Sequence, residues 1–468
     1  MSNQRIEQDS LGELLLGDVY YGIHTLRAAR NFDFSAERTS LALIYAMVTI
    51  KKAAAKSHRQ LKSYDPSLAD AISLACDRIL TGEFDDQFIT HPLQGGAGTS
   101  AHMNVNEVVA NVALEILGHP KGSYAILDPL REVNLSQSTN DVYPTAMRIA
   151  AIRSLRKLAD EFASLQSALN HKEQEFAEVL RLGRTQYMDA LPITMGQTFS
   201  AYASVIQRDR WRLYKAEERL RTINLGGTAI GTGMNADLKF IFLMSDHIQQ
   251  LTGLGLARSD NLIDATQNLD AFTEVSGLVK TAAVNLMKIA NDLRLLASGP
   301  RGGFGEIRLP AHQAGSSIMP GKVNPVILES VVQIALTVVG KDLMITQAVG
   351  LGVLELNAFG PLIIHSLLDS MDLLAGAAQK LRTHVVTGLI VDEERCLEHL
   401  ENSSALITVL SPILGYEASS DIAKKALQQK KTIRQVLIDE AVFTKDELDE
   451  LLNPHSLVSP GIKKRRTQ

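Results

Sequence analysis

Cysteine is nearly absent. The 468-residue chain holds two, Cys76 and Cys396, far apart and outside any CxxC spacing. That excludes a disulfide framework and leaves buried, inert thiols as the expected reading. Aromatic residues are also scarce, at 5% of a chain that is 45% hydrophobic. Alanine and leucine therefore do most of the apolar work, which favours helices. A net charge of −5 gives no basic surface for nucleic acid. No window approaches the roughly 18–20 apolar residues that a membrane span needs. The start MSNQRIEQDSLGE lacks the basic stretch and apolar run of a signal peptide. A cytoplasmic protein is expected, with the KKRR run at 463–466 read as a solvated basic tail.

What is present is a series of long apolar-periodic stretches. After Ser100, AHMNVNEVVANVALEILG has helical spacing and reaches Gly118 as a C-cap. From Ile152, apolar residues fall at 152, 155, 158, 162, 165 and 169, a bundle-type helix seam. Further helical runs span about 191–221, 262–297, 326–348 and 361–382, the last with Pro361 in its first turn. Strand signals are weak throughout. The expected organisation is a mixed, mostly helical segment (1–138), a central long-helix segment (139–393) and a small helical domain (394–468). Apolar faces on rods of this length point to burial between subunits as well, hence an oligomer.

Between the rods lie four polar stretches: GGAGTS (95–100), SQSTND (136–141), GRTQ (183–186) and GSSIMPGKVNP (315–325). Each taken alone reads as ordinary helix capping. Four together, one carrying Lys322, read as a site, because helix starts and cations favour bound anions. The last stretch fails the P-loop spacing, since five residues separate Gly315 from Gly321 and Val323 follows Lys322. It also fails the nucleophile elbow G-x-S-x-G. No HxxxH or EF-hand pattern appears, so no metal ligand is assigned. What remains suits a dianionic substrate held by Lys322, Asn324 and hydroxyls, with a serine placed to remove a carbon-bound proton.

GSSIMPGKVNP resembles the signature GSxxMPxKxNP of the aspartase/fumarase superfamily. GDVYYGIHTLRAARNF, QGGAGTSAHMNVNEV, SQSTNDVYPT, LGGTAIGTG, GPRGGFGEIRLP and ELN resemble that superfamily's blocks in order, over nearly the whole chain. YYGIHTLRA, QGGAGTS and LGHPKG are closer to its aspartate ammonia-lyase branch than to its fumarases. The resemblance implies a mainly α, three-domain fold with a central five-helix bundle. It implies a homotetramer with a twenty-helix core and active sites shared between three subunits. It places Ser316 as the general base for Cβ proton abstraction through an aci-carboxylate. Thr99, Ser138, Thr139 and Ser317 would contact that carboxylate. Lys322, Asn324 and Thr185 would hold the other, and Asn140 and Gln186 would sit near the amino group. No organic cofactor is required.

Gln186 discriminates within the superfamily. Fumarases carry a histidine there, paired with a carboxylate matching Glu329. Glutamine cannot titrate, which disfavours expulsion of hydroxide and suits an amine that leaves as ammonia. The resemblance therefore implies conversion of L-aspartate to fumarate and ammonia. The alternatives are a fumarate hydratase, a lyase for an N-substituted aspartate, or a non-catalytic helical scaffold. Tyr187, Met188, Thr198 and Gly360 depart from the superfamily's usual pattern, and the first two bear on substrate strictness.

Overall fold

The computed structural model describes residues 4–315, 318–458 and 461. Ser316, Ser317 and the 463–466 tail lie outside them. The architecture is mainly α. A hairpin, β1 (Arg5–Asp9) and β2 (Gly12–Leu16), precedes helices α1 (Ile23–Asn31), α2 (Leu41–Leu61), α3 (Pro66–Leu80) and α4 (Thr99–Ile116). Helix α5 (Thr139–Glu175) leads to the hairpin β3 (Leu180–Thr185) and β4 (Met188–Thr194), then to α6 (Met195–Leu220). Short strands β5 (Thr222–Ile223) and β6 (Ala257–Arg258) pair in parallel around α7 (Leu238–Thr252). Next come α8 (Leu262–Gln267), α9 (Asp270–Leu296), β7 (Ile307–Arg308), α10 (Val326–Gly350), α11 (Gly360–Lys380) and β8 (Ile390–Val391), which pairs with β7. Short helices close the described chain: α12 (Glu393–Glu401), α13 (Ala405–Leu414), α14 (Tyr416–Gln429), α15 (Ile433–Asp439), α16 (Lys445–Leu451) and α17 (Pro454–Val458).

The chain forms two compact units. One takes Met1–Ala159, Trp211–Thr281 and Leu336–Leu374; the other takes Asp160–Arg210, Ala282–Ala335 and Ala375–Gln468. The division falls inside α5, α6, α9, α10 and α11. Within the first unit these five helices are laced into a closed ring. Arg156 of α5 donates to Glu217 of α6 at 2.7 Å, and Arg219 of α6 to Glu274 of α9 at 2.8 Å. Ser276 and Lys280 of α9 donate to Asp342 of α10 at 2.7 and 2.6 Å. Lys341 of α10 pairs with Asp369 of α11, and Asp372 of α11 accepts from Lys157 of α5 at 3.0 Å. Exposed ion pairs stabilise little. Here they report which helices are neighbours, and the result is a five-helix bundle.

The seam read from Ile152 to Leu169 is buried at all six positions. The run expected at 262–297 is instead two helices. Asn268 is extended, and its amide donates to Asp264 Oδ1 at 2.7 Å, closing α8 one turn before α9 begins. The rod that remains, α9, has 27 residues and spans about 40 Å.

Two hairpins lie where strand signals were weak. The first is held by tertiary contacts rather than propensity. Glu7 of β1 accepts from Ile23 N, and Glu107 of α4 accepts from Gly22 N, His24 N and Thr25, so two buried carboxylates satisfy the free N–H groups at the start of α1. In the second unit, Leu182 of β3 joins the core of the C-terminal helices, with Leu400, Leu410, Leu437 and Leu448.

Candidate active site

In the first unit the polar stretches at 95–100 and 136–141 are tied together by one histidine. Gly98, with φ +93°, sets the start of α4; a Cβ there would lie 2.4 Å from the Tyr143 ring. Thr99 follows, exposed, its hydroxyl donating to Gly96 O at 2.6 Å. One turn on, His102 is buried, and its Nδ1 lies 2.8 Å from Thr139 Oγ1. Ser138 caps α5 through its Oγ, which accepts from Asn140 N at 3.2 Å.

Asp141 organises this wall from beneath. Its buried carboxylate accepts from Ser138 N at 3.0 Å and from Gly226 N and Thr228 N at 3.1 Å each. The LGGTAIGTG segment is thereby anchored to SQSTND. Burial pushes the Asp141 carboxyl up to about 6, against those N–H groups and the Lys51 charge. Pro144 adds a second tie. Having no N–H, it leaves the Asn140 carbonyl without its helical partner, and Asn224 Nδ2 donates to that oxygen at 2.8 Å. The Asn140 amide donates to Ala229 O at 2.7 Å. Lys51, wholly buried, donates to Asn134 and Gln137 at 2.8 and 3.0 Å, and burial brings its ammonium down to about 7.

The second unit holds the other polar stretches. GRTQYMDA is a tight hairpin rather than a loop: Thr185 pairs with Met188, and Gln186 and Tyr187 sit between at φ +55° and +64°. Both signs match a type I′ turn, without the Asn-Gly that usually marks one. Behind it, Glu306 is fully buried and accepts from Arg181 at 2.9 Å and Arg184 at 2.6 Å, with His399 Nδ1 at 2.9 Å. Burial alone would raise the Glu306 pKa; Arg181, His399 and Arg184 outweigh it and hold it below the usual carboxylate range.

An open cavity of about 990 Å³ fronts the hairpin, lined among others by Arg184, Gln186, Tyr187, Lys288, Arg294 and Glu329. Gln186 and Glu329 thus share one cavity. In the 315–325 loop, Asn324 Nδ2 donates to Gly315 O at 3.0 Å. A Cβ at Gly315 would lie 1.9 Å from the Lys322 carbonyl oxygen, so only glycine closes this loop. Lys322 is exposed, as are Thr185 and Gln186. Thus Thr99, Ser138, Thr139 and Asn140 are gathered in one unit, and Thr185, Gln186, Lys322 and Asn324 belong to the other.

A family model described as Lyase matches residues 16–340, and another, described as Fumarase C C-terminus, matches 406–459. The chain belongs to the aspartase/fumarase superfamily. The superfamily's aspartate ammonia-lyases from Bacillus subtilis and Pseudomonas aeruginosa are each 46% identical to it. These matches cover 98% and 99% of this chain and 97% and 98% of theirs. Among solved structures, a Brucella melitensis protein described as fumarate lyase:delta crystallin, bound to cobalt, has a TM-score of 0.94. It is 46% identical, over 98% of this chain and all of its own. The class II fumarase of Schistosoma mansoni has a TM-score of 0.90 and is 33% identical, over 97% of this chain and 98% of its own. The mainly α fold is that of the superfamily.

Two of the superfamily departures lie in close local surroundings. At Gly360 a Cβ would lie 3.3 Å from Met147 Sδ and 3.6 Å from the Tyr143 ring. Thr198 accepts from Arg181, whose charge is met by Glu306. Sequence reasoning singled out neither Asp141 nor His102. Asp141 had a signal: Ser138-x-x-Asp141 is a capping-box spacing. His102 had a fainter one, a histidine one turn after Thr99 in the same helix. Among the described residues, no three His, Cys, Asp or Glu side chains gather as a metal site would need. No helix among them is long and apolar enough to cross a membrane.

Proposed function

We propose that the protein converts L-aspartate reversibly to fumarate and ammonia. The observation that carries this reading is that Gln186 shares one cavity with Glu329, where a titrating histidine would serve hydroxide expulsion. Near full-length likeness to aspartate ammonia-lyases supports it.

In this reading Ser316, as its alkoxide, takes the Cβ proton. The electrons move into the adjacent carboxylate as an aci-carboxylate, and their return expels the amine. A free serine hydroxyl is far too weak a base, so loop amides and Lys322 must stabilise its anion. Thr99, Ser138, Thr139 and Ser317 bind the carboxylate that gains charge; Lys322, Asn324 and Thr185 bind the other. Asn140, whose N–H is committed to Ala229, offers its side-chain oxygen to the substrate ammonium. The mechanism as proposed needs no organic cofactor.

The same proposal includes three domains at 1–138, 139–393 and 394–468. It also includes a cytoplasmic homotetramer in which three subunits supply each site. Purified protein given L-aspartate releases fumarate and ammonia in equal amounts. Ser316→Ala lowers kcat by about 10²–10⁴-fold while circular dichroism and melting stay unchanged. Ammonia without fumarate, or near-normal turnover by that variant, sinks the reading.

A further inference from the structure

We propose that His102 is a positioning residue that fixes the Thr139 hydroxyl as a hydrogen-bond donor toward the substrate carboxylate. The inference rests on the placement of Thr139 in the proposed pocket.

His102 is 1% exposed, on the second turn of α4. Its Nδ1 lies 2.8 Å from Thr139 Oγ1. Its Nε2 is buried and has no hydrogen-bond partner among the described residues. Burial, and then the charge of Lys51, hold the ring neutral. A neutral imidazole carries one proton, on one nitrogen or the other.

The two tautomers leave opposite consequences. With the proton on Nε2, a buried donor has no partner, the rarer and costlier kind of orphan. Nδ1 would then accept, drawing the Thr139 proton away from the pocket. The hydroxyl would turn its lone pairs to an incoming carboxylate and repel it. With the proton on Nδ1, the ring donates to Thr139 Oγ1, and only a bare nitrogen is left unpartnered. The Thr139 proton is then free to point outward. A hydroxyl that must donate suits an oxygen that gains charge as the Cβ proton leaves. The same side chain also joins α4 to the start of α5, so the threonines of the two stretches keep one arrangement.

The isosteres separate this role from packing. Asparagine keeps an N–H at the δ position, where His102 carries Nδ1. Leucine fills similar space with a methyl. In steady-state assays with L-aspartate, His102→Asn stays within about threefold of wild type. His102→Leu loses about 10- to 100-fold in kcat/KM, the scale of one hydrogen bond to a charged group. In a Thr139→Val background, His102→Leu costs less than about threefold more. Ring ¹⁵N signals of the full-length protein, assigned with His102→Asn, show a protonated Nδ1 and a bare Nε2. A protonated Nε2, a His102→Leu enzyme equal to wild type, or additive losses in the double variant overturns the proposal. Should His102→Leu not fold, the ring signals and His102→Asn still decide it. A wild-type protein inert toward L-aspartate overturns the substrate reading, while the ring signals still report whether Thr139 is held as a donor.

Discussion

Asp141 and Glu306 are both buried carboxylates, each behind one of the polar regions, and their pKa values move in opposite directions. Asp141 meets backbone N–H dipoles from Ser138, Gly226 and Thr228, and burial prevails, raising it to about 6. Glu306 meets two guanidinium groups and a histidine, and those charges prevail over burial, lowering it. Two guanidinium groups and a histidine outweigh burial at Glu306, whereas N–H dipoles and the Lys51 charge do not outweigh it at Asp141. The difference suits what each carboxylate organises. Asp141 aligns main chain so that Ser138, Thr139 and Asn140 line up along one wall. Glu306 anchors a hairpin from behind, while the turn at Gln186 and Tyr187 faces the open cavity.

Removing the charge should therefore cost more at one place than at the other. Glu306→Gln leaves the buried Arg181 and the half-buried Arg184 without this counter-charge, and a loss of about 3–5 kcal/mol is expected in urea unfolding. Asp141→Asn weakens bonds to backbone N–H groups and removes a charge near Lys51, but leaves no guanidinium stranded, and should cost about 1–3 kcal/mol. Equal losses would remove the distinction.

The pH dependence sharpens it. A raised acid such as Asp141 contributes stability that is full below about 4 and is lost as pH rises through about 6. A lowered acid such as Glu306 contributes stability above its ordinary range that is lost as pH falls through its folded pKa. Unfolding titrations of Asp141→Asn should lack the decline between pH 4 and 6 that Glu306→Gln retains. Lys51 gives a third slope. With its folded pKa near 7, the unfolded chain holds the extra proton between about 7 and 10.5, so stability rises with pH there. Lys51→Met should flatten that rise; an unchanged slope would show that Lys51 does not titrate early.

The smallest effect expected is at the hairpin turn. Tyr187 is 81% exposed at φ +64°. Tyr187→Gly relieves left-handed strain of about 1–2 kcal/mol but adds unfolded-state freedom, so a net gain below about 1 kcal/mol is expected. A clear loss of stability would mean the tyrosine packs on something other than this unit.

The long rods were legible because a 3.6-residue seam such as 152–169 records its own burial. The hairpins were not. β1–β2 owes its place to Glu7 and Asp9, which accept from Ile23 and Arg27 of α1, and the β3–β4 turn uses Gln-Tyr where Asn-Gly would announce it. The end of α8 depends on one Asn268–Asp264 bond inside a helical pattern. At the site, residue types within polar stretches were readable. The pairing of His102 with Thr139, 37 positions apart, was not, because only the fold brings them together.

The central claim is that Gln186 commits this site to releasing ammonia. The most direct measurement is fumarate formation, followed by its ultraviolet absorbance, from L-aspartate and separately from L-malate. Rapid turnover of L-aspartate with none of L-malate is the predicted result. Turnover of L-malate at a comparable or greater rate would contradict it.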